Sequence, residues 1–237
     1  MRMRPLSLAA VCGAALLVPA LPALARVPDD GERATHRATG VREGSVRAAD
    51  LLGKLGRCTQ ISRGRYRGDD GTPANIPVCG RGGAVYWKAD MDIDCDGRPG
   101  RHCNRRTDPF FTGMTAYQDS RGGRLSSERL PYVVIPGASR VWNPAADGIR
   151  GGTLAAVVYR DKVQYAIVGD TGPKGLIGEA SYATAANLGI NPHPVRGGAR
   201  RDVTYILFRN TRVRPIESHR AAVALGETQA RKFLRDN

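Results

Sequence analysis

Apolar and polar positions along this chain alternate in short stretches bounded by turns, and helical periodicity is confined to its two ends. Val46, Leu51, Leu52 and Leu55 recur at helical spacing ahead of Gly56, which predicts a short helix that stops at the glycine. Arg63 to Pro77, rich in Gly, Arg and Asp, reads as a loop. Ala84-Val85-Tyr86-Trp87 opens a strand that continues through Met91, Ile93 and Cys95, and a long Gly/Arg loop then runs to Asp108. Tyr132 to Pro136 is a short strand ended by proline. Thr153 to Tyr159 and Val163 to Val168, joined by Arg160-Asp161-Lys162, form a hairpin. Further extended pieces lie around Ile177 and from Val203 to Phe208. Ser218 caps a terminal helix that turns Ala222, Val223, Leu225 and Phe233 inward. Many short strands with one short helix at each end predict a mainly β domain, and a small closed barrel suits them.

The N terminus follows a different pattern. Arg2 and Arg4 precede an apolar run from Leu6 to Leu24 that is broken by Pro19 and Pro22 and ends in Ala23-Leu24-Ala25, the form of a cleaved export signal rather than a membrane span. We therefore expect a leader at 1–25, a polar, flexible segment at 26–45, and a single catalytic domain at 46–237, secreted to the extracellular space as a monomer and not held on a membrane. Cys12 leaves with the leader, so Cys58, Cys79, Cys95 and Cys103 remain as an even set; outside the cytoplasm they imply up to two disulfides with the pairing open. Their gaps do not match a zinc knuckle.

The formal charge of +14 invites nucleic acid as a partner, but the basic residues are scattered and the acidic ones cluster, which repels phosphate. Asp90, Asp92, Asp94 and Asp96 alternate with Met91, Ile93 and Cys95, so in a strand all four carboxylates share one face at roughly 6–7 Å. Such a row calls for cations: a metal ion, the ammonium groups of a polyamine-like substrate, or arginines such as Arg98 and Arg101. Asp92, Asp94, Asp96 and Gly97 match the opening of a calcium loop, but Cys103 stands where its closing glutamate belongs, so no metal is assigned.

Downstream, the strand Tyr165 to Val168 runs out into Gly169-Asp170-Thr171-Gly172-Pro173, which places a carboxylate where the chain turns, with Gly169 leaving room for a ligand. Nine residues later Gly178-Glu179-Ala180-Ser181 carries a second carboxylate behind the apolar Leu176-Ile177. Two carboxyl groups facing one cleft are the minimal equipment for glycoside hydrolysis; Asp170 can equally cap a turn, and the spacing leaves both readings open. Trp87, Trp142, Tyr86 and Tyr182 can stack on sugar rings or fill the core. His36, His102, His193 and His219 are isolated and lack a nucleophile motif, which argues against a serine triad.

The acidic block Asp90 to Gly97, followed by Gly169-Asp170-Thr171-Gly172 and Gly178-Glu179-Ala180-Ser181, resembles the chitosanases of glycoside hydrolase family 75. The resemblance implies endo-hydrolysis of β-1,4-linked glucosamine with inversion and without a cofactor, by Asp170 and Glu179. Glu179 would be the general acid, since Leu176 and Ile177 beside it can desolvate its carboxyl, and Asp170 the general base. Asp90, Asp92, Asp94 and Asp96 would then select the ammonium groups of chitosan, and Trp142 would join them in binding substrate. The Asp170 stretch also resembles the Asp-Thr-Gly-Gly segment of double-psi β-barrels, including those of lytic transglycosylases. That likeness implies a six-stranded barrel core and leaves a peptidoglycan-active enzyme as the alternative, beside a non-catalytic polycation- or calcium-binding module.

Overall fold

A computed structural model describes residues 43–237; the expected leader, and the expected flexible segment as far as residue 42, lie outside the described residues. In chain order the elements are α1 (Ala48–Leu55), β1 (Thr59–Gln60), β2 (Cys79–Arg81), β3 (Ala84–Asp94), β4 (Tyr132–Pro136), a 3-10 turn (Pro144–Asp147), β5 (Leu154–Tyr159), β6 (Lys162–Gly172), β7 (Glu179–Ser181), α2 (Tyr182–Leu188), β8 (Ala199–Phe208) and α3 (His219–Asp236). The order β3-β7-β4-β6-β5-β8 closes on itself where β3 pairs with β8, giving a six-stranded barrel as the sequence predicted. β3–β7 and β4–β6 are parallel and the other wall pairs antiparallel.

Period-two alternation sorts the wall into two faces. Val85, Trp87, Ala89, Val133, Ala155, Val157, Ala166, Val168, Ala180, Val203, Tyr205 and Leu207 belong to one buried cluster drawn from all six strands, and their register places them together in the lumen. Small alanines make room there for Trp87 and Tyr205, whose rings stack 5.4 Å apart. The opposite face of the wall carries Tyr86, Tyr132, Val134, Leu154, Ile167, Ile206 and Phe208, packed against Leu51 and Leu55 of α1 and Ala222, Ala230 and Phe233 of α3. The terminal helices thus cover part of the barrel's exterior. Ser218 caps α3 as expected, accepting from the Ala221 N–H at 3.1 Å.

Two local readings need correction. The sequence reading has helices only at the ends, whereas α2 lies between β7 and β8 and touches β3 through β7. Its caps are visible in retrospect: the Ser181 side chain accepts from the Thr184 N–H, and Gly189 takes a left-handed φ of 76°. The segment before residue 46 is also tied down where it is described. Glu43 accepts from the Tyr165 N–H at 2.8 Å, and Ser45 donates to the Glu227 carboxylate through its N–H at 2.8 Å and its hydroxyl at 2.6 Å. The cysteine pairing left open by sequence is Cys58–Cys79 and Cys95–Cys103. The first ties the approach to β1 to β2, and the second staples the start of the long loop after β3.

Candidate active site

Register across the outer wall brings the carboxylates together. Asp92 of β3 pairs with Glu179 of β7, Glu179 with Val134 of β4, and Val134 with Asp170 of β6. Partners in register share a face, so Asp92, Glu179 and Asp170 stand in one row outside the barrel, with Val134 between the last two. Two strand spacings separate the backbones of Glu179 and Asp170 by roughly 10 Å. Asp170 reaches this row only because the β4–β6 ladder slips: Val133 pairs with Val168 and Val134 with Asp170, which leaves Gly169 as a bulge. Strict alternation from Val168 would have turned Asp170 into the lumen. The space that the sequence reading reserved at Gly169 for a ligand belongs instead to Tyr132, because a Cβ at 169 would lie 2.6 Å from that residue's Cβ and Cγ.

The two carboxyls have unlike surroundings. Asp170 is buried, which raises its pKa, but its Oδ1 accepts from the backbone N–H groups of Ala116 at 2.8 Å and Thr171 at 2.7 Å, and these favour the ionised form. Glu179 is pushed up to about 7, first by burial and then by the charges of Asp92, Asp170, Asp96 and Asp108. Leu176, Ile177 and Val134 line the cleft of about 180 Å³ that opens onto Glu179 and Asp92.

The acidic row divides between two groups. Oxygens of Asp90 and Asp92 gather with Asp69, all within 4.8 Å of one another, and those of Asp94 and Asp96 gather with Asp170 at the same limit. Asp90 is raised to about 7 by burial and by the charges of Asp92 and Asp69, and Asp92 to about 6 by burial and Asp69. Asp94 is buried and raised well above the usual carboxylate range by desolvation, with Glu179 and Asp170 adding to it. Its Oδ1 accepts from the Asp96 N–H at 2.6 Å. Asp96 lies just beyond β3 and holds Thr112, accepting from its N–H at 2.7 Å and its hydroxyl at 2.6 Å. The arginines named as possible neutralisers do not fill that role: Arg98 reaches Asp119 at 3.6 Å, and among the described residues none of these site carboxylates is ion-paired.

Asp69 was not singled out in the sequence, because its loop is placed by long-range contacts. The Arg67 N–H donates to the Gly175 carbonyl at 3.1 Å and the Ile177 N–H to the Arg67 carbonyl at 3.0 Å, which stitches the loop to the segment between the two acids. Gly68 and Gly178 sandwich the Asp90 carboxylate, and a Cβ at either would fall 2.2 Å from one of its oxygens. A second cavity of about 360 Å³ adjoins the first at Gly68 and is lined by Asp69 and Asp90. Tyr132 was also missed; its buried phenol donates to the Asp96 carbonyl at 3.2 Å under the Asp94 and Asp170 carboxylates.

Trp142, expected to bind substrate, is placed elsewhere. It is 4% exposed, meets Trp87 edge-to-face at 6.3 Å and donates its indole N–H to Asp147 at 2.7 Å, so it is a core residue that offers no free ring face. Trp87 and Tyr86 are core residues as well, and Tyr182 stacks on His102 at 5.3 Å.

A barrel wall that presents two carboxyls of unlike proton affinity beside an acid-lined groove has the equipment of a glycoside hydrolase. The profile of the family described as fungal chitosanase of glycosyl hydrolase group 75 matches residues 91–235, and the chain belongs to that family. Its relatives include endo-chitosanase C of Aspergillus oryzae, 32% identical over 133 residues, which are 54% of this chain and 32% of that protein. An endo-chitosanase of Aspergillus fumigatus is 29% identical over 166 residues, 65% of this chain and 69% of its own. Another from Aspergillus oryzae is 30% identical over 189 residues, 70% of this chain and 76% of its own. This chain thus spans about a third of the first relative and more than two thirds of the other two. Among solved structures, the Streptomyces papain inhibitor aligns over 57% of this chain and all of its own at 19% identity, with a TM-score of 0.33.

Proposed function

We propose that this chain is a secreted, monomeric endo-chitosanase that hydrolyses β-1,4 glucosamine linkages with inversion, through Glu179 as general acid and Asp170 as general base. One observation carries the reading: two carboxyls, Asp170 buried and Glu179 half-buried, flank Val134 on one face, the glutamate held toward its neutral form by desolvation and like charges, the aspartate offered two backbone N–H donors. In an inverting mechanism the carboxyls stand roughly 6.5–9.5 Å apart, which leaves room for a water molecule, and a two-strand offset is compatible with that separation. The names of the relatives point to the same substrate.

In the proposed reaction a glucosamine polymer lies along the groove with its ammonium groups facing Asp69, Asp90 and Asp92. Those charges lower the repulsion among the acids and bias the groove against neutral chitin. Glu179 gives its proton to the glycosidic oxygen as the C1–O bond breaks. Asp170 takes a proton from water as the water's oxygen bonds C1 from the opposite face, which inverts that carbon. Proton exchange with solvent restores both groups. Desolvation, with Glu179 and Asp170 beside it, pushes the Asp94 carboxyl well above the usual carboxylate range, which disfavours a further charge next to them. Residues 46–237 would form the catalytic domain and 1–25 the export signal.

The test is release of reducing ends from fully deacetylated chitosan by the wild type and by Asp170→Asn. Turnover should fall at least about 100-fold in the variant with circular dichroism unchanged. Near-wild-type turnover in a folded Asp170→Asn protein would remove Asp170 from the mechanism, and loss of turbidity from a cell-wall suspension without any action on chitosan would replace the substrate.

A further inference from the structure

We infer that Phe110 is a stacking platform for a sugar ring of the polymer, an aromatic subsite on the loop that is bonded to Asp96 and Asp170. This deepens the proposed function and rests on it. Isolated exposed apolar side chains are ordinary on protein surfaces, so exposure alone decides nothing. Phe110, however, is 88% exposed, more than any other large hydrophobic residue among those described, and Met114, at 52%, lies on the same loop.

That loop is fastened to the site on both sides of the ring. The Phe110 N–H donates to Asp108 Oδ1 at 2.9 Å, and the Phe111 N–H to the Asp108 carbonyl at 3.2 Å. Asp108 is itself buried and close enough to Glu179 to help raise its pKa. Two residues beyond the ring, Thr112 is gripped by both oxygens of Asp96 while its carbonyl accepts from the Gly97 N–H at 3.0 Å. Four residues further on, the Ala116 N–H donates to Asp170. The Cys95–Cys103 disulfide staples the loop where it leaves β3. An aromatic ring is therefore presented to solvent from a backbone fixed to the acids themselves.

The charge pattern selects the occupant. Asp69 and Asp90 stand on one side of Glu179, and the segment that holds Asp170 through Ala116 carries Phe110. A cationic sugar chain laid from the first group across both carboxyls runs toward that segment. The C–H face of a pyranose packs on an aromatic ring, and its ammonium group adds attraction to the ring's negative face. The aromatics picked out in the sequence are core residues or already stacked, which leaves this position to provide such a surface.

The experiment is calorimetric titration of a glucosamine hexamer into an Asp170→Asn/Glu179→Gln parent, with and without Phe110→Ala and Phe110→Tyr. Covering one ring face predicts that Phe110→Ala weakens binding about tenfold, and that Phe110→Tyr restores it to within about twofold, with the melting temperature unchanged throughout. A Kd for Phe110→Ala equal to the parent's overturns the subsite while leaving the hydrolase reading intact. If the wild type fails to cut chitosan while the parent binds the hexamer in a Phe110-dependent way, the subsite stands and the hydrolase reading falls. If the parent does not bind the hexamer at all, both fall.

Discussion

Replacing Glu179 by Gln should abolish turnover and yet make the protein harder to unfold at neutral and higher pH. In the fold this carboxyl is raised from 4.5 to about 7, chiefly by burial and then by Asp92, Asp170, Asp96 and Asp108. A group whose folded pKa lies above its unfolded one binds more protons in the native state. Its contribution to stability is complete below about pH 4.5 and is lost as pH rises through 7. At 1.36 kcal/mol per pH unit the loss is about 3 kcal/mol by pH 8, and the amide, which does not ionise, escapes it. For a domain of this size that corresponds to roughly 6–12 °C in melting temperature. Thermal unfolding of wild type and Glu179→Gln followed between about pH 4 and 8 should give nearly equal midpoints at the acid end and a gap that opens as pH rises. A variant that is less stable than wild type at pH 8, or a gap that does not change with pH, would refute the placing of Glu179 in a buried, like-charged setting.

Turnover itself should follow a bell-shaped pH profile. Its alkaline limb falls near 7 as Glu179 loses its proton, and its acid limb lies above the ordinary aspartate range because burial raises Asp170. KM for chitosan should rise with ionic strength between about 0.05 and 0.5 M, since exposed charge pairs are screened; Asp69→Asn should raise KM several-fold at low salt, and an affinity indifferent to salt would contradict the role given to these acids. Replacing Cys95 and Cys103 by Ser opens a staple with a sequence separation of 8, worth about 2–3 kcal/mol in chain entropy. Because the same loop delivers the Ala116 N–H to Asp170, turnover should fall further than denaturant midpoints suggest; unchanged kcat in the folded variant would sever that link.

Strand positions were legible because the barrel sorts its residues by simple alternation. Tyr132 to Pro136 was read at its observed bounds, and the hairpin around Arg160-Asp161 emerged from two apolar runs that pair Leu154 with Ile167 and Tyr159 with Lys162. The alternation of Asp90, Asp92 and Asp94 placed those acids on one face, opposite the lumen-filling Met91 and Ile93. Long-range register was not legible. The bulge at Gly169 that turns Asp170 outward is a property of the β4–β6 pairing, and nothing local to Gly169-Asp170 distinguishes room for a ligand from room for Tyr132. Asp69 belongs to the site because its loop is bonded to residues 175–177, more than a hundred positions away in the chain. Tryptophan suits a sugar platform and a barrel core equally, and it is the contacts with Trp87 and Asp147 that place Trp142 in the core. Helix α2 was overlooked because Ala183, Ala185 and Ala186 give a weak apolar period, although Ser181 and Gly189 mark its ends.

Inversion requires Asp170 and Glu179 to act together across Val134 with a water molecule between them. Proton NMR of a fresh chitosan digest, recorded before mutarotation, reads that directly. Reducing ends that appear first as the α anomer are predicted, since inversion at a β linkage yields that configuration. Ends that appear first as the β anomer would mean retention, with one carboxylate bonding the sugar directly, and would contradict the arrangement proposed for these two residues.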